Sequence, residues 1–310
     1  MFSLFRRFAW RWFMKLRLLA LLSAFALCAL GAIPASAASQ GRGYLALGDS
    51  VAFGYDPLIA HSALALHPNN FVGYPEIVAS TLGTEDVNAS CPGETSAGLI
   101  SRTPANDFLC LNYLAVPLPL HVDYRTSQLD FALSYLTAHP DTKLVTMNIG
   151  ANDVFKLQAA CGGSSTACFL NGLASVLAAI DANIRFIYGE IRNVAHYHHA
   201  LVTLTYYALS YDAATAAGTQ ALNKPIIDAT LAFGGIVASG FDAFKGPAVA
   251  AGGSSCAAGL LLPAFPPGTS GCDVHPTHLG RDLLAAAIVG AIANSCPAHD
   301  VEGCLDRNQD

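Results

Sequence analysis

Gly48-Asp49-Ser50 closes a short apolar run, GYLALGDSVAFG over residues 43–54, and His275 stands far downstream in DVHPTHLG, residues 273–280. Between them lie NASCPGETS at 88–96 and GAND at 150–153. A serine hydroxyl becomes an effective nucleophile when a neighbouring imidazole takes its proton, and imidazole suits the task because its ordinary pKa lies near neutrality. A carbonyl attacked by that oxygen turns into a negatively charged tetrahedral centre, which needs fixed hydrogen-bond donors. Glycine lets a backbone N–H approach such a centre closely, and an asparagine side chain offers a neutral N–H that titration cannot remove. Each residue alone is ordinary, since Gly, Asp, Ser and Asn all favour tight turns. Together they outline nucleophilic acyl transfer.

These blocks need elements to hold them. Residues 44–47 read as a buried strand, and the small polar residues after it read as a turn opening a helix. That leaves the Ser50 hydroxyl at the carboxyl edge of a sheet, where open parallel sheets carry their chemistry. Residues 55–72 lack periodicity and suit an exposed loop near the site; 74–82 read as a helix ending at Gly83, and 86–89 as a second strand. The stretch 91–127 is rich in loops, and its apolar residues from Leu109 to Leu120 either line a pocket or form a lid packed on the core. Ser127 is placed to cap an amphipathic helix over 127–138, with Leu129, Ala132, Leu133 and Leu136 on one face.

Strand 143–149 then leads into GAND, followed by a small loop between Cys161 and Cys168, a long helix from about 173 to 188 and a β-rich run over 200–207. A helical stretch at 213–233 contains Pro225, which predicts a kink or a second helix start. A short strand at 236–238 and a closing helix at 279–293 complete the pattern. Strands alternating with helices predict an α/β fold, with a mainly parallel sheet covered on both faces.

The four blocks, in this order, resemble the SGNH hydrolases, also called the GDSL esterase and lipase family, over residues 44–293. The resemblance implies a three-layer α/β/α, flavodoxin-like fold and hydrolysis of carboxylic esters through an acyl-enzyme. It implies Ser50 as nucleophile and as one oxyanion donor through its own N–H, Gly93 and Asn152 as the other donors, and His275 as general base. No cofactor and no metal is implied. Two positions depart from the family pattern: Val51 stands where Leu is usual, and the acid commonly found three residues before the histidine is replaced by Cys272. Asp273 stands two before, and residues two apart in an extended segment share a side, so its carboxylate can reach the ring. The other readings are a backbone carbonyl orienting the imidazole, or Asp273 as a turn residue.

The chain has 310 residues, 53% of them hydrophobic and only 12% charged, which is ample for a core. Its first segment carries Arg6, Arg7, Arg11, Lys15 and Arg17, then an apolar run over 18–33, then Pro34 and ASAAS. That is the layout of a secretory signal peptide over 1–38, cleaved after Ala37 or Ala38, and the apolar run is shorter than the roughly 20 residues of a spanning helix. The domain that remains is 39–310. Cleavage removes five of 16 basic residues and none of 22 acidic ones, leaving 11 against 22 and a formal charge of −11. Nucleic acid and anionic membrane surfaces are disfavoured partners, no stable membrane anchor is expected, and the mature protein is expected to be a secreted monomer acting on a small-molecule or lipid ester. Eight cysteines remain and fall into neighbouring couples, which suggests Cys91 with Cys110, Cys161 with Cys168, Cys256 with Cys272 and Cys296 with Cys304.

Competing functions fit less well. A carbohydrate acetylesterase of the same fold remains open, although few aromatic platforms for a sugar stand out beside the apolar 109–120 stretch. A metallophosphoesterase needs an early Asp-x-His, whereas the single Asp-Val-His lies at 273–275. The cluster His196, His198 and His199 lacks carboxylate-rich company and reads as a solvated helix end. A binding protein on a degenerate hydrolase fold has no need of Ser50, Asn152 and His275 together. Asp49 reads as a turn or cap residue, and Tyr206 and Tyr207 as core packing.

Overall fold

The apolar run before Ser50 forms strand β1, Gly43–Gly48, buried from Tyr44 onward. The computed structural model describes residues 43–116, 118–163 and 165–295, so the expected leader and the expected Cys296–Cys304 pair lie outside the described residues. Asp49 caps a single-turn helix α1, Ser50–Phe53, by accepting the Val51 N–H at 2.9 Å. There follow α2, Pro57–Ala60; α3, Tyr74–Leu82; β2, Glu85–Asn88; α4, Ser96–Ile100; α5, Cys110–Ala115; α6, Gln128–Ala138; and β3, Thr142–Asn148. The second half holds α7, Ala151–Ala160; α8, Thr166–Asn193; β4, Ala200–Leu204; α9, Ala213–Ala232; β5, Ile236–Ala238; α10, Gly240–Ala250; β6, Leu261–Pro263; β7, Cys272–Pro276; and α11, His278–Ser295.

Five strands pair in parallel in the order β2-β1-β3-β4-β5, with Leu47 opposite Met147 and Met147 opposite Thr203. Helices α3 and α10 pack on α11, while α6, α7 and α9 pack on α8, which gives the three-layer α/β/α architecture expected from the alternating pattern. Strand order reverses between β1 and β3, the switch point at which such sheets open a crevice. Ser50 follows β1 and Asn152 follows β3, so the two flank that crevice.

Local chemistry explains the boundaries. Glu76 accepts the Gly73 N–H at 2.7 Å and starts α3, and Ser127 accepts the Asp130 N–H at 3.1 Å and starts α6. Helix α8 is long and apolar enough to cross a membrane by length and composition; 11% of that apolar window is buried, and the buried residues, Ile180, Ile184, Ile187, Tyr188 and Ile191, lie in its second half.

Several expectations are corrected. Residues 55–72 contain α2 and two 3₁₀ turns, Ala63–Leu66 and Pro68–Asn70, instead of plain loop. GAND opens helix α7, and α8 starts seven residues earlier than the pattern predicts and runs past its expected end. Helix α9 continues through Pro225 as one element, because Ile226, Ala229 and Thr230 beyond it are buried and packing holds the segment in line. The antiparallel pair β6–β7, in which Leu261 faces Pro276, had no counterpart in the sequence pattern.

Candidate active site

The turn after β1 is held from three sides. The Gly48 N–H donates to Gln128 Oε1 at 2.9 Å, Gln128 Nε2 donates back to the Gly48 carbonyl at 2.9 Å, and the Asp49 N–H donates to the Asn148 carbonyl at 3.1 Å. Gly48 has φ +142°, and a Cβ there would lie 2.3 Å from the Asn148 carbonyl oxygen, so only glycine lets β1 and β3 close this tightly. Ser50 therefore emerges at the first position of α1 on a backbone with little freedom.

His275 reaches it from the other end of the chain. Strand β7 is fastened by the Cys256–Cys272 disulfide, by the Thr277 N–H donating to the Leu260 carbonyl at 2.9 Å, and by the Tyr207 hydroxyl donating to the Val274 carbonyl at 2.7 Å. On that support His275 Nε2 stands 2.8 Å from Ser50 Oγ, and Nδ1 is bonded to Asp273 Oδ1. The same carboxylate oxygen accepts the His275 backbone N–H at 2.9 Å. Burial pushes the Asp273 carboxyl up, but its side-chain, charge and backbone interactions with His275 outweigh this and hold it below the ordinary carboxylate value. The Tyr55 ring lies 4.9 Å from the imidazole and covers one side of it. The two-residue spacing thus brings Asp273 onto the ring, as the extended-segment argument expects.

Gly93 and Asn152 approach the same edge. Gly93 has φ +81°, and a Cβ there would fall 2.3 Å from Leu109 Cβ; its carbonyl accepts the Leu109 N–H at 3.2 Å, and the Cys91–Cys110 disulfide ties the two segments beside it. Among the described residues no acceptor takes the backbone N–H of Ser50 or of Gly93. Asn152 Nδ2 donates to the Glu94 carbonyl at 2.9 Å and makes a longer contact of 3.4 Å with Asp49 Oδ2. The third and fourth residues of GAND act separately: Asp153 accepts from the Ser96 N–H at 2.9 Å and from its hydroxyl at 2.7 Å, which locks α7 to α4.

The sequence reading missed a layer of buried polar groups behind these residues. Asp49 is more than a cap: the Tyr206 hydroxyl donates to its Oδ2 at 2.5 Å. Burial lifts the Asp49 carboxyl to about 6, against the pull of Tyr206, Val51 and His275. Glu94, next to Gly93, is lifted by burial to about 7 and accepts from Gln128 Nε2 at 3.2 Å. Tyrosines at a strand end and a glutamine opening a helix give no signal in the sequence that separates such roles from packing or solvation.

A cavity of about 570 Å³ opens on Ser50, Asn152 and His275. Its walls are Val154 and Phe155 from α7, Phe169, Leu173 and Leu177 from α8, and Leu222 from α9. None of the described residues of the 109–120 stretch lines it; Cys110, Tyr113 and Leu120 are buried in the core, as a packed lid requires, while Leu109 and Val116 stay exposed. A wider groove of about 750 Å³ at β5 and α11 contains none of the residues named for chemistry. Cys91, Glu94 and Cys110 cluster closely enough for a metal, but both sulfurs are committed to their disulfide. His196 and His198 are exposed, and so is His278.

A hydroxyl hydrogen-bonded to an imidazole that is itself bonded to a carboxylate can lose its proton as its oxygen attacks a carbonyl. In this chain such an arrangement stands at the switch point of a parallel sheet with helices on both faces. The model of the GDSL-like Lipase/Acylhydrolase family matches residues 46–283, and the chain belongs to that family. An extracellular lipase from Streptomyces rimosus has a similar structure, with 21% identity and a TM-score of 0.52 over 80% of this chain and 99% of that one. Phospholipase A1 from Streptomyces albidoflavus NA297 is 19% identical, with a TM-score of 0.49 over 82% of this chain and 99% of that one. Axe2, an acetylxylan esterase from Geobacillus stearothermophilus, is 17% identical, with a TM-score of 0.49 over 82% and 94%. No curated protein matches the sequence.

Proposed function

We propose that this protein is a secreted serine esterase that cleaves carboxylic esters through an acyl-enzyme on Ser50. The observation that carries the reading is the chain Ser50 Oγ to His275 Nε2 at 2.8 Å and His275 Nδ1 to Asp273 Oδ1. As the Ser50 oxygen attacks the ester carbonyl, its proton passes to Nε2, while Nδ1–H stays on Asp273, which holds the tautomer and stabilises the imidazolium. The N–H groups of Ser50 and Gly93, without acceptors among the described residues, support a role as oxyanion donors. Asn152 is the third donor: its 3.4 Å contact with Asp49 is a weak bond that an oxyanion can replace. The imidazolium returns the proton to the leaving alkoxide, and a water activated by His275 then releases the acid and restores Ser50.

Within this reading an aliphatic acyl ester is favoured over a sugar acetate, because the cavity beside Ser50 is walled by Phe155, Phe169, Leu173, Leu177 and Leu222. The Cys91–Cys110, Cys161–Cys168 and Cys256–Cys272 disulfides support folding in an oxidising compartment, in keeping with the expected leader. Rapid mixing with a p-nitrophenyl ester tests the mechanism. The expected result is a burst of p-nitrophenol near one equivalent, with the acyl mass on the Ser50 peptide after acid quench. Acyl mass on another residue overturns the assignment.

A further inference from the structure

We propose that Gly218 sets the length of acyl chain this protein accepts, by leaving the far end of the Ser50 cavity open. The inference rests on the esterase reading and adds the substrate class: medium-chain aliphatic esters. Helix α9 faces the cavity with Thr215, Gly218, Thr219 and Leu222, whose spacing puts them on one side of the helix. Helix α8 faces it with Phe169, Leu173 and Leu177, again one stripe. A Cβ on Gly150 would meet Ile180 Cγ2 and Ile226 Cδ1, both at 3.4 Å, so the two helices converge at the turn that ends β3.

The residues of α8 and α9 that line the cavity step away from that junction along both helices. Leu177 and Leu222 lie one turn back along their helices, and Asn223 pins the second of these turns by bonding the Tyr206 N–H at 2.9 Å and the Tyr206 carbonyl at 2.7 Å. Phe169, Thr215 and Gly218 lie further from the junction. At 1.5 Å per residue the stripe from Phe169 to Leu177 measures about 12 Å, room for an extended medium-length chain leading away from Ser50.

Glycine inside a helix costs stability relative to alanine, so its presence asks for a reason. At Gly172 on the facing helix the reason is packing, since a Cβ would come 2.6 Å from Leu157 Cδ1. At Gly218 a Cβ meets no atom within 4 Å. Gly246 and Gly290 also face open space, but neither borders this cavity. Gly218 is itself exposed, so a side chain there would take up the space where this end of the cavity opens to solvent.

The test compares kcat/KM on p-nitrophenyl acetate, octanoate and dodecanoate for the wild type, Gly218→Ala and Gly218→Leu. The expected result is an octanoate-to-acetate ratio lowered at least tenfold by leucine and much less by alanine. Thr215→Phe narrows the same end from the next turn and is expected to lower the ratio as well. A ratio unchanged in Gly218→Leu and Thr215→Phe, with wild-type circular dichroism and Tm, overturns the proposal. Should the wild type hydrolyse none of the three esters, the parent reading falls, and calorimetric binding of octanoate decides this one. Binding at least tenfold weaker to Gly218→Leu supports it, and equal binding overturns it.

Discussion

The Tyr207 hydroxyl donates to the Val274 carbonyl at 2.7 Å, so the segment after β4 holds the backbone between Asp273 and His275 in place. Its neighbour Tyr206 donates to Asp49, the residue before Ser50. Two adjacent tyrosines thereby brace the two halves of the proposed site, which come from opposite ends of the chain.

Tyr207→Phe removes the first brace and leaves a carbonyl without that donor. The expected outcome is a loss of about 1 kcal/mol in stability, read by urea unfolding. The kcat on a p-nitrophenyl ester falls by about tenfold, because misplacing a reacting group is costly while substrate contacts are kept. A change in KM alone would assign Tyr207 to substrate binding.

Asp273→Asn keeps the shape of the acid but can present an N–H to Nδ1, which favours the wrong tautomer of His275. A loss of about 10⁴-fold in kcat is expected in a variant with wild-type Tm. A loss below tenfold would leave the orientation of the imidazole to the backbone of β7.

Glu94 gives a pH signature. Burial lifts its carboxyl from 4.5 to about 7, so over that interval the folded state keeps a proton that the unfolded chain releases. Its contribution to stability is full below the ordinary value and is lost as pH rises through about 7. Glu94→Gln cannot ionise, and its Tm is expected to drop less than the wild type's between pH 5 and pH 8. Glu76 and Asp49, raised to about 7 and about 6, act with the same sign, so the variant flattens the profile without levelling it. Parallel Tm profiles for the two proteins would contradict the buried-proton account.

The sequence made Ser50 and His275 legible because each sits in a short block whose neighbours are tied to backbone geometry, such as Gly48 with its positive φ. It made the parallel sheet legible because β1 is a continuous apolar run and β3, though it carries Thr142, Lys143 and Thr146, is rich in β-branched and apolar residues before the GAND turn. The hairpin carrying His275 was hidden: β6 is three residues, Leu261–Pro263, too short to alternate. The choice between pocket wall and packed lid for 109–120 stayed open in the sequence, since apolar residues there and on α8 look alike, and only packing puts Tyr113 in the core and Leu173 in the wall of the cavity that opens on Ser50. The partnership of Tyr206 with Asp49 joins residues 157 apart, which local patterning cannot reveal.

The most direct test of the central claim is kcat/KM of Ser50→Ala on a p-nitrophenyl ester, with the fold checked by circular dichroism. The account predicts a loss of order 10⁶-fold, since removing the nucleophile disables His275 and Asp273 with it. A folded Ser50→Ala protein that keeps a rate within tenfold of the wild type would contradict it.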